Sequence, residues 1–452
     1  MIYRVLSFCF TVCVHIFYKV RYVGKTVPSQ GASIIVANHP NGLLDPLMML
    51  HLTHRPIRFL AKEPLFRMPV VGQLLKLAQA LPVYRKQDGY SGSDNQSMFR
   101  TIESALKDEH CCVCLFPEGI SHNLPQLQPL KTGAARIALA AENLADFQLN
   151  LQIVPVGLFF AHKSRFRSEV VVVVGDAIIL GNDWQVRYQE DTFAAARELT
   201  DQIADSIKEV TVNLESWSDL PMLKFLNQLY QGYHESTKTI ESTEMDQEEA
   251  SISRLRMITH TYDSFMQVAP QTVSQLRTRV VQFQRLLNKL GLEADSLDQK
   301  PSLFKLTSFL LRQSIAYIIG LPLALLGMLI FSMPYQLVDW LAHKKTKDED
   351  VVATIKVMAG IVFYPIWTLM IVLIILYYMG WKLACSMIVI LPLLALYTML
   401  FIENRGEAWI QLRIMFNSMI LRSSLVVLKK ERDEICIAID QSLAQHEANL
   451  TH

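Results

Sequence analysis

Residues 31–47 read GASIIVANHPNGLLDPL and join a short apolar run to a loop that carries an imidazole and a carboxylate. The run Ser33–Ala37 is apolar and rich in β-branched residues, which is typical of a strand buried on both faces. His39 and Asp45 follow this run, and the prolines and glycine around them favour a turn. We therefore expect both side chains to lie at the exit of a buried strand.

The same alternation of short strands and helical segments continues to about residue 215. CCVCLF, LQIVPVGLFF and EVVVVVGDAII read as strands, and segments with helical periodicity separate them. This pattern predicts an α/β domain over residues 23–215, with a mainly buried sheet flanked by helices. The cysteines of CCVC, at 111–114, are interpreted as small apolar strand residues with reduced thiols in a cytosol-facing domain.

The rest of the chain is predicted to be helical and partly embedded in a membrane. Residues 216–302 are polar and are expected to form a helical connector. Residues 303–404 are predicted to form a transmembrane region, because they contain apolar segments of about the 20 residues that span a bilayer. Those segments are 315–337, 359–379 and 383–402. A helical tail is expected over residues 405–452.

The first 22 residues predict a helix in the membrane interface. Their apolar stretch is short for a span, and Lys19 and Arg21 would lie at lipid headgroups. An ordinary buried helix is the alternative. The chain is therefore expected to be an integral membrane protein, and its basic residues predict that the α/β domain faces the cytoplasm. The tail is also basic, so three full spans would require a re-entrant segment or a fourth passage.

His39 and Asp45 suggest acid–base chemistry. A neutral imidazole can take a proton from a hydroxyl near neutral pH, and a carboxylate on its other nitrogen would fix the tautomer. No Ser or Cys stands in a nucleophile elbow, so the activated hydroxyl is expected to belong to the substrate. A purely structural turn is the alternative. The cysteines show no zinc-type spacing, and the net charge of +1 does not favour nucleic acid.

Basic residues further along the chain suggest an anionic substrate. Residues 51–76 contain one acid, Glu63, and a set of cations, namely Arg55, Arg58, Lys62, Arg67 and Lys76. Glu118 and Gly119 follow another apolar strand, and Lys131 precedes a helix whose N-terminus would favour an anion. A basic surface that faces solvent or lipid headgroups is the alternative.

Four segments taken in order resemble the glycerolipid acyltransferase family, whose members acylate glycerol-3-phosphate, lysophosphatidic acid and other lysophospholipids. The segments are NHPNGLLD, KEPLFRMPVVG through PVYR, FPEGIS and VPVG. The resemblance implies that His39 is the general base and Asp45 its partner. It also implies a set of substrate-binding residues: Gly72 and Arg85 for glycerol phosphate, Glu118 and Gly119 for the acceptor, Ser121 and Lys131 beside them, and Pro155 for acyl-chain packing.

The sequence departs from the common family pattern in the spacing of the histidine and the acid. Five residues separate His39 from Asp45, whereas four is the common spacing. The predicted pair therefore requires the backbone to turn between Pro40 and Leu44.

The resemblance implies direct acyl transfer from acyl-CoA or acyl carrier protein to glycerol-3-phosphate or 1-acylglycerol-3-phosphate. The reaction needs no metal or cofactor, and the expected partners are the lipid bilayer, the acyl donor and the glycerol-phosphate acceptor. The long helical and membrane extension resembles that of some glycerol-3-phosphate and dihydroxyacetone-phosphate acyltransferases, which favours a glycerol-3-phosphate acceptor. Acylation of another lysophospholipid, or an inactive membrane scaffold or transport protein, are the alternatives.

Overall fold

A computed structural model describes residues 2–68, 71–84, 89–90, 96–214, 216–237, 254–255, 257–259, 261–262, 265–266, 268–298, 302–346 and 348–450. The chain forms two compact units. The first comprises Met1–Asn213 with Trp340–Ala359, and the second comprises Leu214–Asp339 with Gly360–His452.

The first unit is built on a mixed sheet of eight described strands. They are β1 (Tyr18–Gly24), β2 (Ser33–Ala37), β3 (Ile57–Lys62), β4 (Leu81–Val83), β5 (Cys112–Leu115), β6 (Gln152–Phe160), β7 (Ser168–Val174) and β8 (Ile178–Ile179). The order is β1-β7-β6-β2-β5-β3-β4, with β8 beside β6. Strands β6, β2, β5, β3 and β4 run parallel. Their carboxyl ends therefore share one edge, where ligand sites gather in such sheets.

Helices pack against this sheet and bury its central strands. They are α1 (Ile2–Phe17), α2 (Leu44–Met49), α3 (Val71–Leu77), α4 (Gln96–Glu109), α5 (Gly133–Leu144), α6 (Asn182–Glu190) and α7 (Thr192–Val210). All five residues of β2 are buried. Ile34 of β2, Ile137 of α5 and Leu199 of α7 belong to one apolar core, and each such side chain contributes about 1.5–3 kcal/mol when buried. The predicted α/β class with a mainly buried sheet is confirmed.

The N-terminal helix is shorter than the predicted interfacial helix of residues 1–22. Helix α1 ends at Phe17, and the next residues form β1, which pairs in parallel with β7. Lys19 and Arg21, expected at headgroups, therefore lie on a strand, and Arg21 binds Glu169 at 3.2 Å. Pairing with β7 overrides the continuation of the helix, because it satisfies the backbone of residues 18–24. Several apolar residues of α1 remain exposed, namely Val5, Phe8, Val12 and Ile16.

The second unit begins with the helical connector. It contains α8 (Leu220–Thr237), α9 (Pro270–Leu290) and a short 3₁₀ helix, Ala294–Asp298. Gly291, at φ +65°, ends α9 in the left-handed conformation that favours glycine.

Four long helices complete the chain, namely α10 (Leu303–Lys345), α11 (Glu349–Met379), α12 (Trp381–Ile420) and α13 (Arg422–Leu450). The first three are long and apolar enough to cross a membrane, which confirms the three predicted apolar segments. Their bounds exceed the predictions, because flanking polar turns continue each helix. Helix α12 passes through the predicted start of the tail at residue 405, and Gly380 alone connects α11 to α12.

The tail packs against the connector within the second unit. Arg432 of α13 is fully buried. Its guanidinium binds Asp298 of the 3₁₀ helix and also the adjacent Asp433 of α13. Tyr230 of α8 donates its hydroxyl to Asp440 of α13 at 2.8 Å. These contacts hold the connector, which precedes the apolar helices, against the tail, which follows them.

Candidate active site

The loop after β2 brings His39 and Asp45 together. His39 Nδ1 lies 2.8 Å from Asp45 Oδ2, and the backbone N–H of Asn41 donates to the same oxygen at 2.7 Å. The chain reverses between them, because Gly42 adopts φ +53° and the Leu44 N–H donates to the Asn41 carbonyl at 3.1 Å. The predicted contact is therefore present despite the five-residue spacing.

The environment of the pair shifts the pKa of Asp45. The Asp45 side chain is 0% exposed and that of His39 is 19% exposed. Burial raises the pKa of Asp45, whereas hydrogen bonds from His39 and Asn41 and the positive charge of Lys163 act in the opposite direction. With Nδ1 donating to the carboxylate, Nε2 is left as an acceptor, and it makes no hydrogen bond with the residues that the structure describes. Phe116 stacks on the His39 ring, with centroids 4.3 Å apart.

Glu118 holds the loop after β5 against the His39 loop. Its side chain is buried, and Oε1 accepts the His39 backbone N–H at 2.9 Å. Oε2 accepts the Gln128 N–H at 2.8 Å and binds His122 Nε2. Protein donors thus occupy both oxygens. The geometry gives Glu118 a positioning role, and its predicted contact with the acceptor stays a prediction.

Gly119, Ser121 and Lys131 lie on the same loops. Ser121 Oγ accepts the Gly42 N–H at 3.0 Å. Gly119 adopts φ +72°, and a Cβ added there would lie 2.5 Å from Lys131 Nζ. The exposed Lys131 ammonium therefore covers Gly119 just before α5 begins. The structure brings these predicted residues to the edge that carries His39.

The other predicted site residues have different surroundings. Gly72, in α3, allows close approach to a neighbouring backbone, since an added Cβ would lie 2.1 Å from the Phe66 carbonyl oxygen. Pro155 is buried in β6, in register with Val36 of β2. Packing accounts for both positions, so their binding roles stay predictions. Arg85 lies outside the described residues.

The basic segment at 51–76 does not present its guanidinium groups together. Arg55 donates to the carbonyls of Pro28 and Gly31 at 3.1 and 2.8 Å. Two further arginines are paired with acids, Arg58 with Glu109 and Arg67 with Glu63. Local carbonyls and carboxylates thus engage three of its five cations, and the anionic substrate that this segment suggests stays a prediction. Lys62, which ends β3, remains an exposed cation at the shared sheet edge.

Sequence reasoning missed two residues of this site, His122 and Lys163. His122 stands four residues after Glu118 in FPEGISHN, and that spacing was the available signal. Lys163 carried no local signal, because it lies beyond the carboxyl end of β6, 124 positions after His39. Its buried ammonium donates to the Pro40 carbonyl at 2.5 Å and to the His122 carbonyl at 3.2 Å.

The sequence model of the acyltransferase family matches residues 19–158. The model of the glycerol-3-phosphate acyltransferase 2 C-terminal domain matches residues 244–447. The crystal structure of the 1-acyl-sn-glycerophosphate (LPA) acyltransferase, PlsC, from Thermotoga maritima is also similar. That similarity has a TM-score of 0.31 and 17% identity, and covers 44% of this chain and 80% of the other.

Two curated relatives from Saccharomyces cerevisiae are similar in sequence. Glycerol-3-phosphate O-acyltransferase 2 is 33% identical over 30% of this chain and 18% of its own length. Glycerol-3-phosphate O-acyltransferase 1 is 23% identical over 79% of this chain and 58% of its own length. The chain thus spans less than two thirds of either relative. Its two matched regions carry the acyltransferase motifs and the apolar helices, so the chain contains an acyltransferase domain followed by a region similar to the glycerol-3-phosphate acyltransferase 2 C-terminal domain.

Proposed function

We propose that the chain is a membrane-bound O-acyltransferase that moves an acyl group from acyl-CoA to a hydroxyl of glycerol-3-phosphate in phospholipid synthesis. The observation that carries this proposal is the 2.8 Å contact between His39 Nδ1 and Asp45 Oδ2, which leaves Nε2 available to a substrate. Acyl carrier protein is the alternative donor, and 1-acylglycerol-3-phosphate is the alternative acceptor.

His39 acts as the general base for direct transfer. Its Nε2 takes the proton of the acceptor hydroxyl as the oxygen attacks the thioester carbonyl. The new C–O bond forms, the C–S bond breaks, and the departing thiolate takes the proton back from the imidazolium. The buried Asp45 carboxylate stabilises that imidazolium and holds its Nδ1–H in place. No covalent acyl-enzyme is needed.

The acceptor phosphate binds to cations at the carboxyl edge of the sheet. The exposed Lys131 ammonium over Gly119 and Lys62 at the end of β3 are candidates that the structure describes. Arg85 joins them through the family resemblance. Glycerol-3-phosphate is preferred as the acceptor because both yeast relatives are named glycerol-3-phosphate O-acyltransferases.

The apolar helices hold the enzyme at the bilayer, where the product resides. Helices α10, α11 and α12 supply the membrane segment, and the exposed apolar residues of α1 face the interface. Because the connector and tail contact each other through Arg432 and Asp298, they lie on one side of the membrane. The segment between them therefore crosses the membrane an even number of times, which requires one of its three apolar helices to be re-entrant. The proposed orientation, with the catalytic domain at the cytoplasmic face, follows the tendency of basic residues beside membrane helices to lie in the cytoplasm.

An acceptor panel tests the proposed function. The full chain, purified in detergent, is mixed with palmitoyl-CoA and glycerol-3-phosphate, 1-acylglycerol-3-phosphate, lysophosphatidylcholine or no acceptor. Thiol release and lipid product are measured together. We expect lysophosphatidic acid with glycerol-3-phosphate and only background thiol release without an acceptor. Acylation of lysophosphatidylcholine alone would assign another lysophospholipid as acceptor, and the absence of any acylated product would contradict the proposal.

A further inference from the structure

Lys163 is a buried cation between the two loops that form the site. It lies between β6 and β7 and is 7% exposed. Its ammonium donates to the Pro40 carbonyl, on the His39 loop, and to the His122 carbonyl, on the Glu118 loop. An ammonium loses much solvation on burial, so its retention in the interior requires compensating interactions. The Pro40 and His122 carbonyls and the nearby Asp45 carboxylate provide these interactions.

The backbone of Lys163 is also anchored to the site. Its carbonyl accepts a hydrogen bond from the hydroxyl of the buried Tyr18. The same hydroxyl accepts from Asn41 Nδ2 at 3.1 Å, and the Asn41 N–H donates to Asp45 at 2.7 Å. Lys163 is thus tied to the loop of the acid by its side chain and by its main chain.

We infer that Lys163 is a positioning residue of the acyl-transfer site, joining the loop of His39 to the loop of Glu118 and supplying the positive charge beside the buried Asp45. This inference rests on the proposed function. The ammonium partly offsets the desolvation of Asp45 and so favours the carboxylate form, which accepts the hydrogen bond of His39 Nδ1–H. Lys163 acts through Asp45 and His39 and does not itself transfer a proton.

Other ionisable groups face the His39–Asp45 pair from β1, from β5 and from the loop after β5. Tyr18 comes from β1, Cys114 from β5, and Glu118 and His122 from the loop after β5. Burial raises the pKa values of Tyr18 and Cys114, so both are neutral near pH 7. Glu118 binds His122 and the His39 backbone. Besides His39, Lys163 is the cation whose charge lowers the pKa of Asp45.

Variants of Lys163 separate charge from packing. Lys163→Gln retains a donor but is neutral, Lys163→Arg retains the charge, and Lys163→Met is a second neutral variant. The exposed Lys208→Met on α7 is the control. The rate of palmitoyl transfer to radiolabelled glycerol-3-phosphate is measured from pH 5 to 9 in the detergent-purified full chain, with folding checked by thermal melting.

We expect both neutral variants to lower kcat/KM by about 10- to 100-fold, within the range of a positioned acid–base group. The acid limb of their pH–rate profile moves to higher pH, because Asp45 binds a proton more readily without the neighbouring cation. Lys163→Arg restores the position of the limb. A merely structural role would lower the rate and leave the limb unmoved.

The inference is overturned if a folded neutral variant keeps the wild-type limb, or if Lys163→Arg shifts it as far as Lys163→Gln does. His39→Ala, measured in parallel, distinguishes this failure from failure of the proposed function. An inactive His39→Ala beside an unmoved limb rejects only the role of Lys163. An active His39→Ala rejects the proposed base, and with it the inference.

Discussion

The backbone N–H of His39 donates to Glu118 Oε1 at 2.9 Å, so the acid of one sequence motif fixes the histidine of another 79 positions away. The second carboxylate oxygen of Glu118 binds its own loop through Gln128 and His122. The orientation of the imidazole therefore depends on both loops, and Asp45 completes it from within the first loop.

Asp45→Asn is expected to reduce acyl transfer by roughly 10²- to 10⁴-fold, because the amide cannot stabilise the imidazolium as a carboxylate does. The exposed Asp176→Asn serves as the control. Initial rates at saturating acyl-CoA give the comparison. Asp45→Asn activity within threefold of wild type would show that the carboxylate is dispensable.

The same variant has an expected pH-dependent effect on stability. Burial raises the pKa of Asp45 above its ordinary value of 3.8, so the folded state binds the proton more tightly than the unfolded state. Stability therefore falls as pH rises from the unfolded value through the raised folded value. Asp45→Asn removes this penalty, and its apparent Tm relative to wild type should be higher at pH 7 than at pH 3. A Tm difference between Asp45→Asn and wild type that does not change with pH would contradict this expectation.

Gly119→Ala and Gly31→Ala form a matched pair. Both glycines have left-handed φ values, +72° and +79°, so alanine costs each site about 1 kcal/mol in strain. Only at Gly119 would the new Cβ meet the Lys131 ammonium; at Gly31 no atom lies within 4 Å. We expect Gly119→Ala alone to raise the KM for glycerol-3-phosphate. Equal KM values in the two variants would contradict this reading.

Lys131→Met tests the proposed phosphate contact directly. Loss of one charge-assisted hydrogen bond, about 1.5–3 kcal/mol, is expected to raise the KM for glycerol-3-phosphate by roughly 10- to 100-fold. The kcat should change little, because His39 and Asp45 are untouched. Lys208→Met on the distant surface of α7 controls for the loss of a positive charge. A lowered kcat with an unchanged KM would place Lys131 in another role.

Arg55→Met is expected to destabilise the fold without weakening substrate binding. Arg55 links the Pro28 and Gly31 carbonyls, and loss of these bonds should lower the free energy of unfolding by about 2–4 kcal/mol. Thermal melting and the KM for glycerol-3-phosphate are measured beside the exposed Arg197→Met. A tenfold rise in the KM of Arg55→Met with an unchanged melting temperature would instead show that Arg55 binds the substrate.

The predictable part of the fold came from patterns that are local in sequence. The apolar runs of β2, β5 and β6 and the three apolar helices satisfy rules of periodicity and length, and the structure confirms them. The N-terminal segment was less predictable, because residues 18–24 form a strand only through pairing with β7, some 150 positions away. The sequence of residues 18–24 does not itself indicate such a distant partner strand.

The site residues show the same difference between contacts that are local in sequence, which could be predicted, and long-range contacts, which could not. His39 and Asp45 lie on one loop, so a turn sufficed to predict their contact. Lys163 reaches the site only because β6 lies beside β2 in the sheet, and Arg55 is withdrawn from it by carbonyls of a separate loop. The signs of the charges were readable from the sequence, but their partners depended on the tertiary fold.

The central claim is that His39 is the base that activates the acceptor hydroxyl. The most direct test is kcat/KM of purified His39→Ala with palmitoyl-CoA and glycerol-3-phosphate, beside the exposed His54→Ala and with thermal melting as the check on folding. We expect a loss of roughly 10²- to 10⁴-fold in His39→Ala and wild-type kinetics in His54→Ala. A folded His39→Ala that transfers acyl groups at a near wild-type rate would contradict the proposed mechanism.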